Sequence, residues 1–192
     1  MKDYLFIPHL LNLIARPRFF NRAVAISVRA AAAVIVLVGL VPFFQASKII
    51  FNLPASGILG GILFQLFYIV AIYSVVHAFI IRADDIENLP GSEFNTITLL
   101  SVLLQLIGEA YAAFVSLIAI GGGIFIWFTA KGIDKLLSPV PKFLPNFGDA
   151  SFMGGIQFMI GGIFVAIVVL VLFYFLSELM ILLVRVAKNS RA

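Results

Sequence analysis

The chain has 192 residues, 62% of them hydrophobic and only 11% charged, with a mean hydropathy of +1.15. Soluble domains are nearer half apolar and a quarter charged, and this chain has too little polar surface to cover itself in water. Lipid is therefore its solvent. Cysteine is absent, which excludes disulfides, thiolate metal sites, iron–sulfur clusters and covalently attached haem. The formal charge of +4 sits at the ends of apolar runs and forms no basic stripe, so nucleic acid is not an expected partner.

At about 20 apolar residues per crossing, the length accommodates four spans with short connections. Segment 1–22 does not read as a signal peptide, because its basic part is long and no small-x-small cleavage site follows it. Residues 3–15 are apolar, broken by Pro8, and followed by Arg16, Arg18 and Arg22. They fit a short helix in the headgroup region with those arginines on anionic lipid, the alternative being a disordered basic leader. The chain thus divides into an interfacial leader, 1–22, and an all-α four-helix transmembrane domain, 23–192.

The first span is expected over 23–44, closing at Pro42. The second covers 57–81, from a glycine-rich start to Arg82. The third covers 96–120, where Gly121, Gly122 and Gly123 interrupt it; the apolar run beyond, with Trp127, is either a continuation or a separate interfacial helix. The fourth covers 153–185, longer than a bilayer requires, so it should tilt or project. Helices are demanded in each because lipid offers the backbone no hydrogen-bonding partner. Segments 45–56 and 131–151 mix apolar residues with lysine and proline and are expected to lie along the membrane surface. Pro139, Pro141 and Pro145 prevent a long helix in the second of these.

Lysine and arginine placement gives the orientation. With the N-terminus inside, the inner side receives Lys2, Arg16, Arg18, Arg22, Arg29, Arg82, Arg185, Lys188 and Arg191, and the outer side Lys48, Lys131, Lys135 and Lys142. This bias puts both termini of a multi-pass membrane protein in the cytoplasm. Two stretches resemble one another, LFYIVAIYSVVHAFIIR ending the second span and LFYFLSELMILLVR ending the fourth. They suggest either a duplicated two-helix unit or convergent apolar composition.

Polar groups inside spans are costly, so each is a candidate site. His77, Gln105, Glu109 and Glu178 stand out. Ser101, Gln105, Glu109, Ala112, Ala113 and Ser116 share one helical face that should point into the bundle. Glu109 lies about 21 Å beyond Asn95 along a helix, which places it near the bilayer centre or somewhat beyond. His77 and Glu178 precede Arg82 and Arg185 by similar distances, which gives them similar depths and makes a His–Glu contact geometrically feasible, with Tyr73 and Tyr174 one turn away. Gly57 and Gly61, and the pairs Gly154–Gly155 and Gly161–Gly162, are expected at close helix contacts toward the opposite side. Asp84, Asp85, Glu87 and Glu93 read as a solvated loop with Ser92 capping the third span; their spacing fits no calcium loop.

No phosphate loop, HExxH, GxSxG or second histidine in range appears, so no enzyme and no metal site are expected. The tail, Glu178-x6-Arg185-x3-Asn189 after an aromatic-rich apolar run, resembles the end of an uncharacterised family of short bacterial membrane domains, usually of two spans. That resemblance is confined to the end of the fourth span and implies a bacterial inner-membrane location and no assigned activity. Three functions then rank in order. The first is a non-catalytic accessory or scaffold subunit of a larger membrane assembly, with lipids, other membrane subunits or its own copies as partners. The second is a small oligomeric ion- or proton-coupled carrier or channel using Glu109. The third is a pigment- or cofactor-holding subunit using His77, whose cofactor the sequence does not name.

Overall fold

The computed structural model describes residues 19–90, 95–133, 136 and 150–190. Within them are four long helices: α1 (Phe19–Ile50), α2 (Ala55–Glu87), α3 (Asn95–Thr129) and α4 (Phe152–Asn189). All four are long and apolar enough to cross a membrane. The extensive packing is between chain neighbours, α1 on α2, α2 on α3 and α3 on α4. The helices therefore lie in a row of antiparallel neighbours, with α3 the most buried and α1 and α4 at its margins.

Why these segments end where they do is local chemistry. Pro54 stands at the N-cap of α2, where its missing N–H costs nothing. Asn88 closes the other end of α2, its backbone N–H and side-chain amide both donating to Asp84 O, at 3.1 and 2.9 Å. At the end of α1 the Asn52 amide donates to Lys48 O at 2.7 Å. α3 stops at Ala130, whose φ of 49° is a left-handed turn that a helix cannot continue through.

Several boundaries differ from those expected. α1 does not close at Pro42: the proline lies inside the helix, which runs on to Ile50. A short turn at 51–54 then enters α2, so most of segment 45–56 is helix and no surface loop. Proline removes one helical donor, and α2 supplies others beside it. The Tyr68 hydroxyl donates to Gly39 O at 2.8 Å, and the Gln65 amide donates to Ser47 Oγ at 2.6 Å and Phe43 O at 3.3 Å. α3 passes unbroken through Gly121–Gly123, making the run with Trp127 its continuation. Residues 1–18, which hold most of the expected interfacial leader with Arg16 and Arg18, lie outside the described residues; Arg22 is an exposed residue in the first turns of α1.

Cross-helix contacts fix the register. At one end Arg29 meets Asp84, Arg82 meets Glu109, and Glu109 meets Tyr174. At the other, Ile50 packs on Gly61, Gly60 faces Phe128, and Trp127 donates to Phe152 O at 2.9 Å. On α3 the two levels are marked by Glu109 and Thr129, about 30 Å apart at 1.5 Å per residue, which is the thickness of a bilayer's hydrocarbon core. Arg29–Ile50, Gly60–Arg82 and Phe152–Tyr174 span comparable lengths on the other helices. These segments form an apolar slab whose core includes Phe64, Tyr68, Ile118, Ala119, Phe125 and Phe158.

All four helices overshoot the arginine level: α1 by 19–28, α2 by 83–87, α3 by 95–108 and α4 by 175–189. The overshoot has a core of its own, built from Ala25, Val28, Ala83, Ile86, Leu99 and Leu106. The candidate third crossing, Thr96–Thr129, contains the expected 96–120 and runs on past it.

Candidate functional site

Apart from Lys48, the charged residues of the crossings converge at the arginine end of the slab. Arg82 on α2 donates through Nε to Glu109 Oε2 at 2.9 Å and through Nη2 to Glu109 Oε1. Its Nη1 donates to Asp85 Oδ2 at 3.0 Å, one turn on. From α4 the Tyr174 hydroxyl donates to Glu109 Oε1 at 2.5 Å while accepting from Arg82 Nη2 at 3.2 Å. A guanidinium fork gripping both carboxylate oxygens is the strong form of ion pair. The Arg82 and Glu109 side chains are 18% and 25% exposed, so the pair is shielded well below the exposure of an ordinary surface salt bridge. One polar cluster thus ties α2, α3 and α4 together.

A second rung lies in the overshoot. Ser101 and Ser177, both buried, are 2.7 Å apart, and the Gln105 amide donates to Ser177 Oγ at 3.0 Å. A third joins α1 to α2, where Arg29 bridges Asp84 at 2.6 Å and Glu87 at 2.7 Å. The acidic run after Arg82 therefore reads differently from a solvated loop. Asp84, Asp85 and Glu87 all belong to α2 and each has an arginine partner; Ser92 and Glu93 lie outside the described residues. No group of three or more metal-ligating side chains occurs among the described residues.

The sequence-predicted polar residues are only partly brought together. Glu109 and Gln105 sit on the α4-facing side of α3. Glu109 is not near the slab centre; it is level with Arg82. His77 and Glu178 are not paired: both are exposed and no hydrogen bond or ion pair joins them. Because Arg82 and Tyr174 are level, His77 lies inward of that level on α2 and Glu178 outward of it on α4, about 13 Å apart along the axis. His77 instead stacks on Tyr73 on the open face of α2, ring centroids 5.8 Å apart and 13° from parallel. The same register separates the two LFY repeats. Tyr68 bonds across to Gly39 well inside the slab, whereas Tyr174 is at the slab edge.

The glycines sit where helices nearly touch. A Cβ at Gly61 would fall 2.5 Å from Ile50, and one at Gly162 would collide with Ala119 Cβ. Gly155 lies against Trp127 and the Gly123 carbonyl, and Gly57 beside Leu53 and Thr129. Gly154 is buried, its N–H held by Ser151 Oγ at 3.0 Å; Gly161 is half-buried. Close approach extends to Gly60, Gly108 and Gly121–Gly123.

The sequence reading passes over Arg82, taking it for a boundary marker, and over Tyr174 as a partner of Glu109. A usable signal was present: one cation and one anion in adjacent apolar helices are each other's natural partner. Between α3 and α4 a groove of about 360 Å³ starts at Glu109 and continues past Ala112, Ala113 and Ser116 on one wall and Leu170, Ile167, Ala166 and Ile163 on the other.

Four helices long and apolar enough to cross a membrane, closed by ion pairs at one end and glycine contacts at the other, define an all-α multi-pass membrane protein. Comparison with protein-family models, with curated proteins and with solved structures finds no match.

Proposed function

We propose that this chain is a non-catalytic accessory or scaffold subunit of a larger membrane assembly. The observation that carries the proposal is the overshoot of α4. Beyond Tyr174 the helix continues to Asn189 and presents Phe175, Leu182, Leu183 and Val186 as exposed side chains. An apolar helix face beyond the level of the charged rim calls for cover, and a neighbouring subunit supplies it. The Arg82–Glu109–Tyr174 cluster supports the same reading, because the one carboxylate shared by three helices is engaged in holding them together.

In this reading the arginine end faces the cytoplasm of the inner membrane, with both termini there, and segment 1–22 lies on headgroups of the same side. The lysine and arginine bias supports that orientation. The resemblance of the tail to bacterial two-span domains supports that membrane.

The test is purification in a mild detergent followed by native mass spectrometry. A partner of fixed stoichiometry is expected, lost in Leu183→Glu while the variant keeps its helical content. A monodisperse free chain from native membranes, unchanged by that substitution, overturns the proposal.

One observation favours the carrier reading: the α3–α4 groove ends on Glu109. It predicts proton or cation flux in liposomes that Glu109→Gln abolishes, and flux equal to that of empty vesicles disposes of it. His77, exposed beside Tyr73, is placed to meet a group from outside the chain. A pigment held there would give the purified protein visible absorption that His77→Ala removes.

A further inference from the structure

We infer that the groove between α3 and α4 is a site for one phospholipid of the arginine-side leaflet, with its acyl chain in the groove and a primary-ammonium headgroup on Glu109. Its volume of about 360 Å³ is within the range of small-molecule sites. Its walls are apolar, and they are hollowed by Ala112, Ala113 and Ala166 where larger side chains would close the gap. Ile167, on its rim, is exposed, so the groove opens sideways to lipid.

The direction of the groove is what selects a leaflet lipid. Glu109 stands at the slab edge, level with Arg82, and Ser116 is two turns further in, about 10 Å toward the slab centre. Polarity therefore falls from one end of the groove to the other, as it does along a phospholipid from headgroup to chain. A ligand lying across the membrane, or one wholly apolar, would not match that gradient.

The charge at the polar end selects the headgroup. Arg82, Glu109 and Asp85 together carry one net negative charge, so a cationic donor is complementary and a purely anionic headgroup is not. A carboxylate offers about four acceptor positions. Arg82 Nε occupies one on Oε2, and Arg82 Nη2 and the Tyr174 hydroxyl occupy two on Oε1. The position left on Oε2 suits an N–H donor of a primary ammonium. A quaternary ammonium brings the same charge and no N–H. This inference stands apart from the accessory-subunit reading, since it concerns the isolated chain.

The experiment uses the purified full chain in detergent, incubated with an equimolar mixture of dioleoyl phosphatidylethanolamine, phosphatidylcholine and phosphatidylglycerol, and read by native mass spectrometry. One retained phosphatidylethanolamine is expected, at about tenfold preference over phosphatidylcholine, the worth of one charge-assisted hydrogen bond. Ala113→Leu, which fills the groove without touching the polar cluster, is expected to lose that adduct with unchanged circular dichroism. Equal retention of the three lipids by the wild type overturns the inference, even where the variant fails to fold. So does full retention in a folded Ala113→Leu protein. A lipid-free dimer cross-linked through Ala113→Cys in both copies shows instead that a second chain fills the groove, and likewise overturns it.

Discussion

Removing one partner of the Arg82–Glu109 pair should cost far more than removing both. Glu109→Leu leaves the Arg82 guanidinium with Asp85 and the Tyr174 hydroxyl, and Arg82→Met leaves the Glu109 carboxylate with only the Tyr174 hydroxyl. Breaking a fully buried pair costs about 3–5 kcal/mol and an exposed one about 0–1 kcal/mol. With side chains 18% and 25% exposed, each single substitution should cost about 2–3 kcal/mol. The double variant, in which apolar side chains meet across α2 and α3, should lie within about 1 kcal/mol of wild type, because no uncompensated charge is left. The coupling energy is then at least about 2 kcal/mol. Reversible unfolding of all four proteins in mixed micelles, titrated with sodium dodecyl sulfate, measures the cycle. Single variants that each cost under about 0.5 kcal/mol, or a double variant that costs their sum, would refute the reasoning.

Three further outcomes follow from the packing. Gly162→Ala should destabilise by about 1–3 kcal/mol, since its Cβ has nowhere to go beside Ala119. Gly39→Ala should cost less, because the nearest atom is the tip of Ile72 at 3.1 Å; equal costs would contradict the contact geometry. Tyr68→Phe removes the donor to Gly39 O beside Pro42 and should cost about 0.5–1 kcal/mol in the same micelle titration. Because the chain has no cysteine, single cysteines at Phe51 and Ser190 report topology cleanly. A membrane-impermeant maleimide should label the first only from outside the cell and the second only from within inverted vesicles.

The number of crossings is legible in the sequence because hydropathy accumulates over a window and needs no knowledge of neighbours. Boundaries are less so. Pro42 and Gly121–Gly123 read as helix ends by the habits of proteins in water, yet in lipid an interrupted helix exposes backbone groups with no alternative partner, so the helix persists. Depth is the least legible quantity. Placing Glu109 by counting from Asn95 assumes that a helix starts where the membrane does, and α3 starts well before the level of Arg82. The same assumption, applied to Arg185, puts Glu178 beside His77, where the overshoot of α4 separates them. Small residues at contacts are readable as a class, Gly61 and Gly162 among them, while the partner of each depends on a register that one sequence does not contain.

The row arrangement bears on how the chain assembles during synthesis. Each helix after the first packs on the one made just before it, so every new segment leaving the translocation machinery finds a partner already in the bilayer. Low contact order of this kind favours rapid folding. One group must wait. Arg82 enters with α2 and has only Asp85 until Glu109 follows on α3, and Tyr174 completes the set only when the last helix arrives. Until then the unfinished protein holds a half-satisfied cation at the membrane edge, a mark by which quality control could tell a nascent or orphaned chain from a finished one.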